Sequence, residues 1–289
     1  MKIKILIPVY NDWQSVLKVL DEINNLSIDS KFQISIIIIN DASNHDRPNI
    51  DENFDNISSL KILNLKKNQG HTRGIATAMK YVYEKDDFDY VIPMDGDGED
   101  RPEEIKNFLN KIGVTNGNAI VGERVKRSED LLFKSCYLIH KLITLVFTGQ
   151  SIKFGNYTCL PKSTVKKMID EKATWNSFSG SLKKVEKNLI SIPSIRGPRY
   201  FGPSQMNFQK LLKHSLCIMS VFRNTFLIRS ALFVVLYILL IKSNASIITG
   251  MPLILLLIAV YSISNLALRE NMEEFDQSLS NINNIDSIK

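Results

Sequence analysis

Apolar positions in the first part of the chain alternate with polar ones or gather in short β-branched runs. Lys2–Pro8 (KIKILIP) alternates and then turns apolar, Phe32–Ile39 (FQISIIII) is β-branched throughout, and Leu60–Leu65 (LKILNL) alternates ahead of a turn. Each spacing predicts a strand. Between the first two, Val16, Leu17, Leu20, Ile23 and Leu26 fall near helical spacing over Trp13–Leu26, after an Asn11-Asp12 start signal. His71–Glu84 sets Ile75, Met79 and Val82 on one stripe, and it is followed by a strand at Tyr90–Met94, a helix opened by Pro102 and a strand at Ala119–Gly122. Strands alternating with helices predict an α/β domain with a Rossmann-like, mostly parallel sheet and helices on both faces. Ligands then bind beyond the carboxyl ends of the strands.

The pattern changes in the second half. Asp130–Thr148 is helix-compatible and apolar-rich, whereas Gly155–Pro203 reads as irregular, with prolines at 161, 193, 198 and 203, and is where acceptor-binding elements are expected. Asn207–Phe222 opposes Leu211, Leu212, Leu216 and Met219 to Lys210, Lys213 and His214. That predicts an amphipathic helix along a membrane surface, an ordinary surface helix being the alternative. Phe226–Ile241 and Ile247–Leu268 are apolar runs separated by Lys242–Ser246. The first, taken from Thr225, has about 17 residues, near the lower limit for crossing a hydrocarbon core, and its Arg229 lies close enough to one end to snorkel. The second is long enough to span outright, with Pro252 near its start, where the missing amide costs little. A transmembrane helical hairpin is expected, against a pair of buried core helices. The chain therefore divides into an α/β domain (1–206), a juxtamembrane helix (207–224), the hairpin (225–268) and a polar, Asn-rich tail expected to be flexible (269–289).

Charge orients this arrangement. Lys210, Lys213, Arg223 and Arg229 precede or begin the hairpin and Arg269 follows it, while the turn carries only Lys242. The positive-inside tendency puts both ends in the cytosol, giving a multi-pass protein of the cell membrane with a cytosolic catalytic domain. The opening MKIKILIPVY carries no signal-peptide apolar region or cleavage site. A net charge of +6 with 36 basic residues suits anionic lipid or phosphate, and no motif supports nucleic acid as a partner. Cys136, Cys159 and Cys217 have no metal-ligand spacing and are expected to be free and structural.

Candidate chemistry concentrates after the predicted strands. In Met94–Glu104 (MDGDGEDRPEE), Asp95 and Asp97 end a strand, and glycines at 96 and 98 let the backbone fold tightly. Two carboxylates on such a turn repel unless a cation lies between them, and Mg²⁺ or Mn²⁺ commonly bridges a few carboxylates to substrate phosphates. A solvated acidic turn capping the next helix is the bland alternative; the position at a strand's end argues against it. Pro8-Val9-Tyr10-Asn11-Asp12 follows the first strand, where a βα turn meets a nucleotide. Asn40-Asp41-Ala42-Ser43 follows the second, where Asp41 would accept hydrogen bonds from a base or ribose. Asn68-Gln69-Gly70-His71-Thr72-Arg73-Gly74 opens a helix with a glycine and a cation, as suits a diphosphate.

With these residues the chain resembles family 2 glycosyltransferases of the GT-A fold, especially the polyprenyl-phosphate sugar transferases related to dolichol-phosphate mannose synthase. The resemblance covers about Met1–Gly122 and rests on Pro8-Val9-Tyr10-Asn11, Asn40-Asp41-Ala42-Ser43, Asn68-x-Gly70-His71 and Asp95-x-Asp97 with the following acid and proline. It implies that Pro8, Tyr10 and Asp41 hold the nucleoside, that Gly70 and Arg73 lie near the diphosphate, and that Asp95 and Asp97 hold the metal. Asn11, Asp12, Asn68 and Gly96 are counted with the nucleotide-sugar site. A membrane hairpin after the catalytic domain is a feature of one branch of that family. Departures are Asp12 in place of Glu, Glu99 where Gln is common, and Lys153-Phe154-Gly155-Asn156-Tyr157 where a carboxylate-containing segment is usual; Arg199-x-x-Gly202-x-Ser204 remains similar.

The expected activity is an inverting transfer of a sugar from a nucleotide-diphosphate donor to a polyprenyl phosphate, as in the building of cell envelope polysaccharide. A lipid phosphate arrives largely charged and needs steering, by Arg124 and Arg199, more than deprotonation. With a hydroxyl acceptor on a glycan or lipid-linked saccharide, a carboxylate must take the proton, and Glu99 or Asp100 is placed for it, beside the metal-binding Asp97. Two further alternatives are a nucleotidyltransferase, whose Gly-rich basic N-terminal loop is absent from LIPVYNDWQS, and a non-catalytic membrane scaffold. Expected partners are the donor, the membrane acceptor and the membrane itself, with a homo-oligomer left open.

Overall fold

The computed structural model describes residues 1–289 apart from 51–52, 116, 127–140 and 204–207. The chain forms two units: Met1–Arg127 with Lys153–Gln205 and Asn271–Lys289, and Ser128–Ile152 with Met206–Glu270.

The first unit is built on one mixed sheet ordered β7-β5-β6-β4-β1-β2-β3-β8. Its strands are β1 (Lys2–Val9), β2 (Gln33–Asn40), β3 (Ser59–Leu65), β4 (Tyr90–Pro93), β5 (Ile120–Lys126), β6 (Phe154–Pro161), β7 (Ile190–Ile195) and β8 (Ile282–Ser287). The central strands β4, β1, β2 and β3 are parallel, with Ile5 opposite Ile36 and Ile92, so their carboxyl ends share one rim. Continuous apolar strands of this kind are covered on both faces. Ile3, Ile5 and Ile7 pack on Val16, Val19, Leu20 and Ile23 of α1 (Trp13–Asn24) and on Phe108 of α3 (Ile105–Ile112). Leu6, Ile37 and Ile39 pack on Ile75, Met79 and Val82 of α2 (His71–Lys85). The α/β expectation is met in full.

Residues 155–203 are more regular than their prolines suggest. They include most of β6, helices at Lys162–Ile169 and Phe178–Val185, and β7. Pro161 ends a strand and caps the helix after it, and Pro193 lies in β7 at the edge of the sheet, where a missing amide donor is tolerated.

The segment after 269 is the larger departure. Instead of a flexible tail it forms a short helix, Met272–Asp276, and β8, which pairs antiparallel with β3. Phe275 is fully buried and stacks on Trp175 with ring centroids 5.3 Å apart. Phe275→Ala should therefore cost about 3–5 kcal/mol in a denaturant melt of the full chain, as truncation of a buried Phe does. A loss under about 1 kcal/mol would mean that the segment adds little to the fold.

The second unit contains helices at Phe208–Ser220, Arg223–Ile241 and Ile247–Ala267 and a helical stretch at 141–148. The helix expected over 130–148 lies partly outside the described residues, as does Cys136. Arg223–Ile241 and the helix from Ile247 are long and apolar enough to cross a membrane by length and composition. Leu232, Leu236 and Leu255 are each about 60% exposed. Arg229, expected to snorkel, donates to the carbonyls of Leu145 (3.2 Å) and Val146 (2.8 Å), closing the end of the 141–148 helix. Phe147 packs against Phe226 and Phe233. Cys159 and Cys217 are buried and free.

Candidate active site

The carboxyl rim of β1, β2 and β4 collects most of the residues singled out in the sequence. After β4 the chain turns sharply at Asp95–Arg101. A Cβ on Gly96 would lie 2.9 Å from Ile7 and Val16, so only glycine lets the turn sit on the core. Gly98 has φ +89°, and a Cβ there would meet the Tyr200 ring at 2.5 Å. Gly98→Ala should destabilise the protein by about 1–3 kcal/mol in a thermal melt, since both backbone and ring must shift. An unchanged melt would remove Tyr200 from the account of this turn.

The turn is held by its own acids. The Asp100 carboxylate accepts from Asp95 N–H at 2.9 Å, and Asp97 accepts from Glu99 N–H at 3.0 Å. The segment after β7 then lies over it: Gly197 and Tyr200 donate their amides to the carbonyls of Glu99 and Asp97, each at 2.9 Å. Two arginines arrive this way. Arg199 pairs with Asp97 (2.7 Å) and with Asp12, and Arg196 pairs with Glu99. His71 Nε2 stands 3.1 Å from Asp95 Oδ1 and 2.7 Å from Asn156. Arg124, from β5, lies against Gly155, where an added Cβ would come within 2.7 Å of its guanidinium. Asp12, Asp95, Asp97, Glu99, Asp100, Arg124 and Arg199 are thus brought together. Arg196 was missed in the sequence reading, and His71 and Asn156 stood there only within motifs, without roles of their own; the pair of basic residues around Gly197-Pro198 was the available signal for the first.

These neighbours separate the carboxyl groups. Burial disfavours the charge on Asp95, but His71, Arg196 and Arg124 outweigh it and hold its pKa far below the usual carboxylate range. Burial and the Asp95 charge push Asp97 upward against Arg199 and Arg196, and push Asp100 well upward. Burial also works against protonated His71, yet Asp95, Asp100 and Asp97 together raise its pKa.

Asp95 Oδ1 is buried and faces the His71 ring nitrogen at 3.1 Å. A buried ionised carboxylate is stabilised by a cation close to it, so Asp95, with Asp97 beside it, fits a hard divalent ion. Among the described residues no group of three or more His, Cys, Asp or Glu side chains is placed to hold a metal. Mg²⁺ or Mn²⁺ here would take its remaining ligands from phosphate and water.

The expected nucleoside residues form the neighbouring loops. Asn11, at φ +60°, accepts from Asn44 N–H (2.7 Å) and His45 N–H (3.2 Å), and its own amide donates to Ser43 Oγ (3.0 Å). Pro8 stands opposite Ile39 of β2, and Tyr10 is half exposed with its hydroxyl near Asn44. Asp41 is buried and differently employed than expected. Its two carboxylate oxygens accept from Gln69 N–H (2.8 Å) and Gly70 N–H (2.9 Å), and its carbonyl accepts from Asn68 (3.1 Å). It ties the end of β2 to the start of α2. Burial raises its pKa despite these bonds. Gly70, at φ +87°, caps α2 without a side-chain partner. Arg73 is held away from the anticipated diphosphate role: its guanidinium stacks over Trp175 at 4.8 Å and pairs with Glu274 at 3.2 Å.

The family model described as glycosyl transferase family 2 matches residues 4–175. The undecaprenyl-phosphate 4-deoxy-4-formamido-L-arabinose transferase of Proteus mirabilis is 25% identical over 224 residues, covering 73% of this chain and 64% of that protein. The chain thus spans a little under two thirds of the length of that relative. An uncharacterized protein of Methanocaldococcus jannaschii is 27% identical over 162 residues, covering 53% and 67%. Among solved structures, glucosyl-3-phosphoglycerate synthase from Mycobacterium tuberculosis, in complex with Mn²⁺, UDP-glucose and phosphoglyceric acid, gives a TM-score of 0.55 at 11% identity over 78% of this chain and 79% of that one. S. aureus TarS 1-349 gives 0.50 at 11% identity, covering 96% and 88%. At these identities the structural likeness is one of fold.

Proposed function

This chain belongs to glycosyl transferase family 2, and we propose that it moves a sugar from a nucleotide-diphosphate donor to the phosphate of a membrane polyprenol, inverting the anomeric centre. The observation that carries the reading is the Asp95–Asp97 turn, with the Asp95 carboxylate buried and held ionised, ringed by His71, Arg124, Arg196 and Arg199 at the carboxyl rim of the sheet. The named activity of the Proteus mirabilis relative supports a polyprenyl phosphate as the acceptor class.

Bound Mg²⁺ or Mn²⁺ would supply Lewis-acid stabilisation of charge on the departing diphosphate. The protein contributes positioning and charge. Asp95 stays ionised at neutral pH and would hold the metal, with Asp97 as its partner. The loops at Pro8, Tyr10, Asn11 and Asp12 and at Asp41, Asn68 and Gly70 hold the nucleotide, with Asp41 acting through the backbone it ties and Gly96 letting the turn approach. Arg124, Arg196 and Arg199 draw two anions into one site, and a phosphate acceptor with its second pKa near about 6 needs no strong base. Glu99 is already paired with Arg196, which favours a charge-holding role for it over proton abstraction.

A hydroxyl acceptor is the second reading, and the upward-shifted Asp100 is the observation that favours it. For the membrane, residues 1–127, 153–205 and 271–289 share one unit, so both ends of the apolar helix pair return to it. This supports two crossings, and the flanking basic residues support a cytosolic side for that unit. The purified protein, incubated in vesicles holding undecaprenyl phosphate with a panel of radiolabelled nucleotide sugars, should carry label into the organic phase with one donor. Labelled glycan that stays in the aqueous phase would favour the hydroxyl reading instead.

A further inference from the structure

The segment that follows the apolar helix pair reaches the proposed donor site through a chain of side-chain hydrogen bonds. Asp286 of β8 accepts from Asn64 Nδ2 at 3.0 Å, and it also pairs with Arg47. Asn64 Oδ1 accepts from Asn40 Nδ2 at 2.9 Å, and Asn40 Oδ1 accepts from Ser43 N–H at 3.0 Å. Ser43 Oγ receives the amide of Asn11 at 3.0 Å, and Asn11 Oδ1 receives the amides of Asn44 and His45. The loop from Asn40 to Arg47 is thus fastened to Asp286 at both ends, through Asn40 at its start and Arg47 at its finish. The same segment supplies Glu274 to Arg73 in the first turn of α2. Ala42 within the loop is at φ +55° and Asn11 at φ +60°, conformations that a surrounding network must maintain.

We propose that Asp286 is a positioning residue for the donor site, holding the loop 40–47 and through it Tyr10 and Asn11 in the geometry that receives the nucleotide. The inference rests on the donor reading above for its functional consequence. Its structural half stands apart, because the network exists without a nucleotide. Asp286 has the right chemistry: a carboxylate accepts from several donors at once, whereas a neutral amide in its place would keep one acceptor and lose the charge facing Arg47. Desolvation works against the Asp286 charge, but hydrogen bonds from Asn64, Arg47 and Asn284 and the Arg47 charge together outweigh it and hold its pKa below the usual carboxylate range.

The test uses the purified full chain and two measurements. In ligand-free protein, Asp286→Ala should raise amide hydrogen exchange at Ser43, Asn44 and His45 about tenfold, while Asp276→Ala, which breaks the Lys80 pair in the same segment, should leave those amides unchanged. UDP, GDP and CDP are then titrated calorimetrically. For whichever one the wild type binds, Asp286→Ala should raise Kd about tenfold with kcat at saturating donor within about twofold of wild type, and Asp286→Asn should fall between. Unchanged exchange in Asp286→Ala, or an equal rise in Asp276→Ala, would overturn the proposal. Equal Kd for the variant and wild type would overturn it as well. A wild type that binds none of the three diphosphates counts against the donor reading instead, and the exchange comparison then decides the positioning alone.

Discussion

Asp95→Asn should lower sugar transfer by about 10³-fold or more, because a ligated divalent ion is worth several kcal/mol to a transition state that sheds a diphosphate, and about 1.4 kcal/mol corresponds to tenfold in rate. The fold should survive. The substitution loses attraction from His71, Arg196 and Arg124, but it also removes the charge that pushes Asp97 and Asp100 upward. These effects oppose, and the carboxamide is nearly isosteric. Titration of Mn²⁺ into protein with a nucleoside diphosphate, followed through the free-ion electron spin resonance signal, should show binding to the wild type and a large loss in the variant. Full activity of Asp95→Asn in chelated buffer would remove the metal from the account.

The second large effect separates the two acceptors. Arg199→Ala should cost transfer about 10²-fold or more, since it deletes a cation from the site and leaves Asp97 and Asp12 without their shared partner. Arg199→Lys should recover only part of this, because one ammonium does not reproduce a guanidinium that donates from two nitrogens to two different carboxylates. Glu99→Gln should keep substantial activity if no proton has to be abstracted there. Loss of a general base typically costs about 10²–10⁴-fold, so the two cases are well separated. Assays at saturating donor, with donor hydrolysis measured in parallel, check that the nucleotide site is intact in each variant. Should Glu99→Gln lose transfer by that factor while Arg199→Ala stays near wild type, the phosphate acceptor would give way to a hydroxyl.

What could be read in the sequence followed from local pattern. The parallel core was legible because β1 and β2 are apolar on both faces and are separated by a helix-spaced stretch. The acidic turn was legible because Asp95 and Asp97 directly follow a strand, and position at a strand's end is a property of the local sequence. Arg196 was not, because its partner Glu99 is remote in sequence and meets it only when β7 pairs with β5. The partners of Arg73 were hidden for the same reason. A basic residue in the first turn of a helix suits an anion, and nothing local announces that Glu274 and Trp175 will claim it. Asp41 was recognised as important with a different role, since an Asp at the end of a strand serves a ligand or a neighbouring backbone equally well. β8 escaped because Ile282, Ile285 and Ile288 stand singly among polar residues, and the exposed edge of β3 that pairs with them is a tertiary feature. The prolines of 155–203 misled by composition: one ends a strand and another occupies a sheet edge, both places where proline is compatible with order.

Phosphorus magnetic resonance on the lipid product tests the central claim most directly. Undecaprenyl phosphate in detergent, given the accepted nucleotide sugar and Mg²⁺, should show its phosphomonoester resonance replaced by that of a phosphodiester. One nucleoside diphosphate should be released for each monoester consumed, and neither change should appear with Asp95→Asn. Release of nucleoside diphosphate with transfer of the sugar to a hydroxyl, while the lipid phosphorus stays a monoester, would contradict the account.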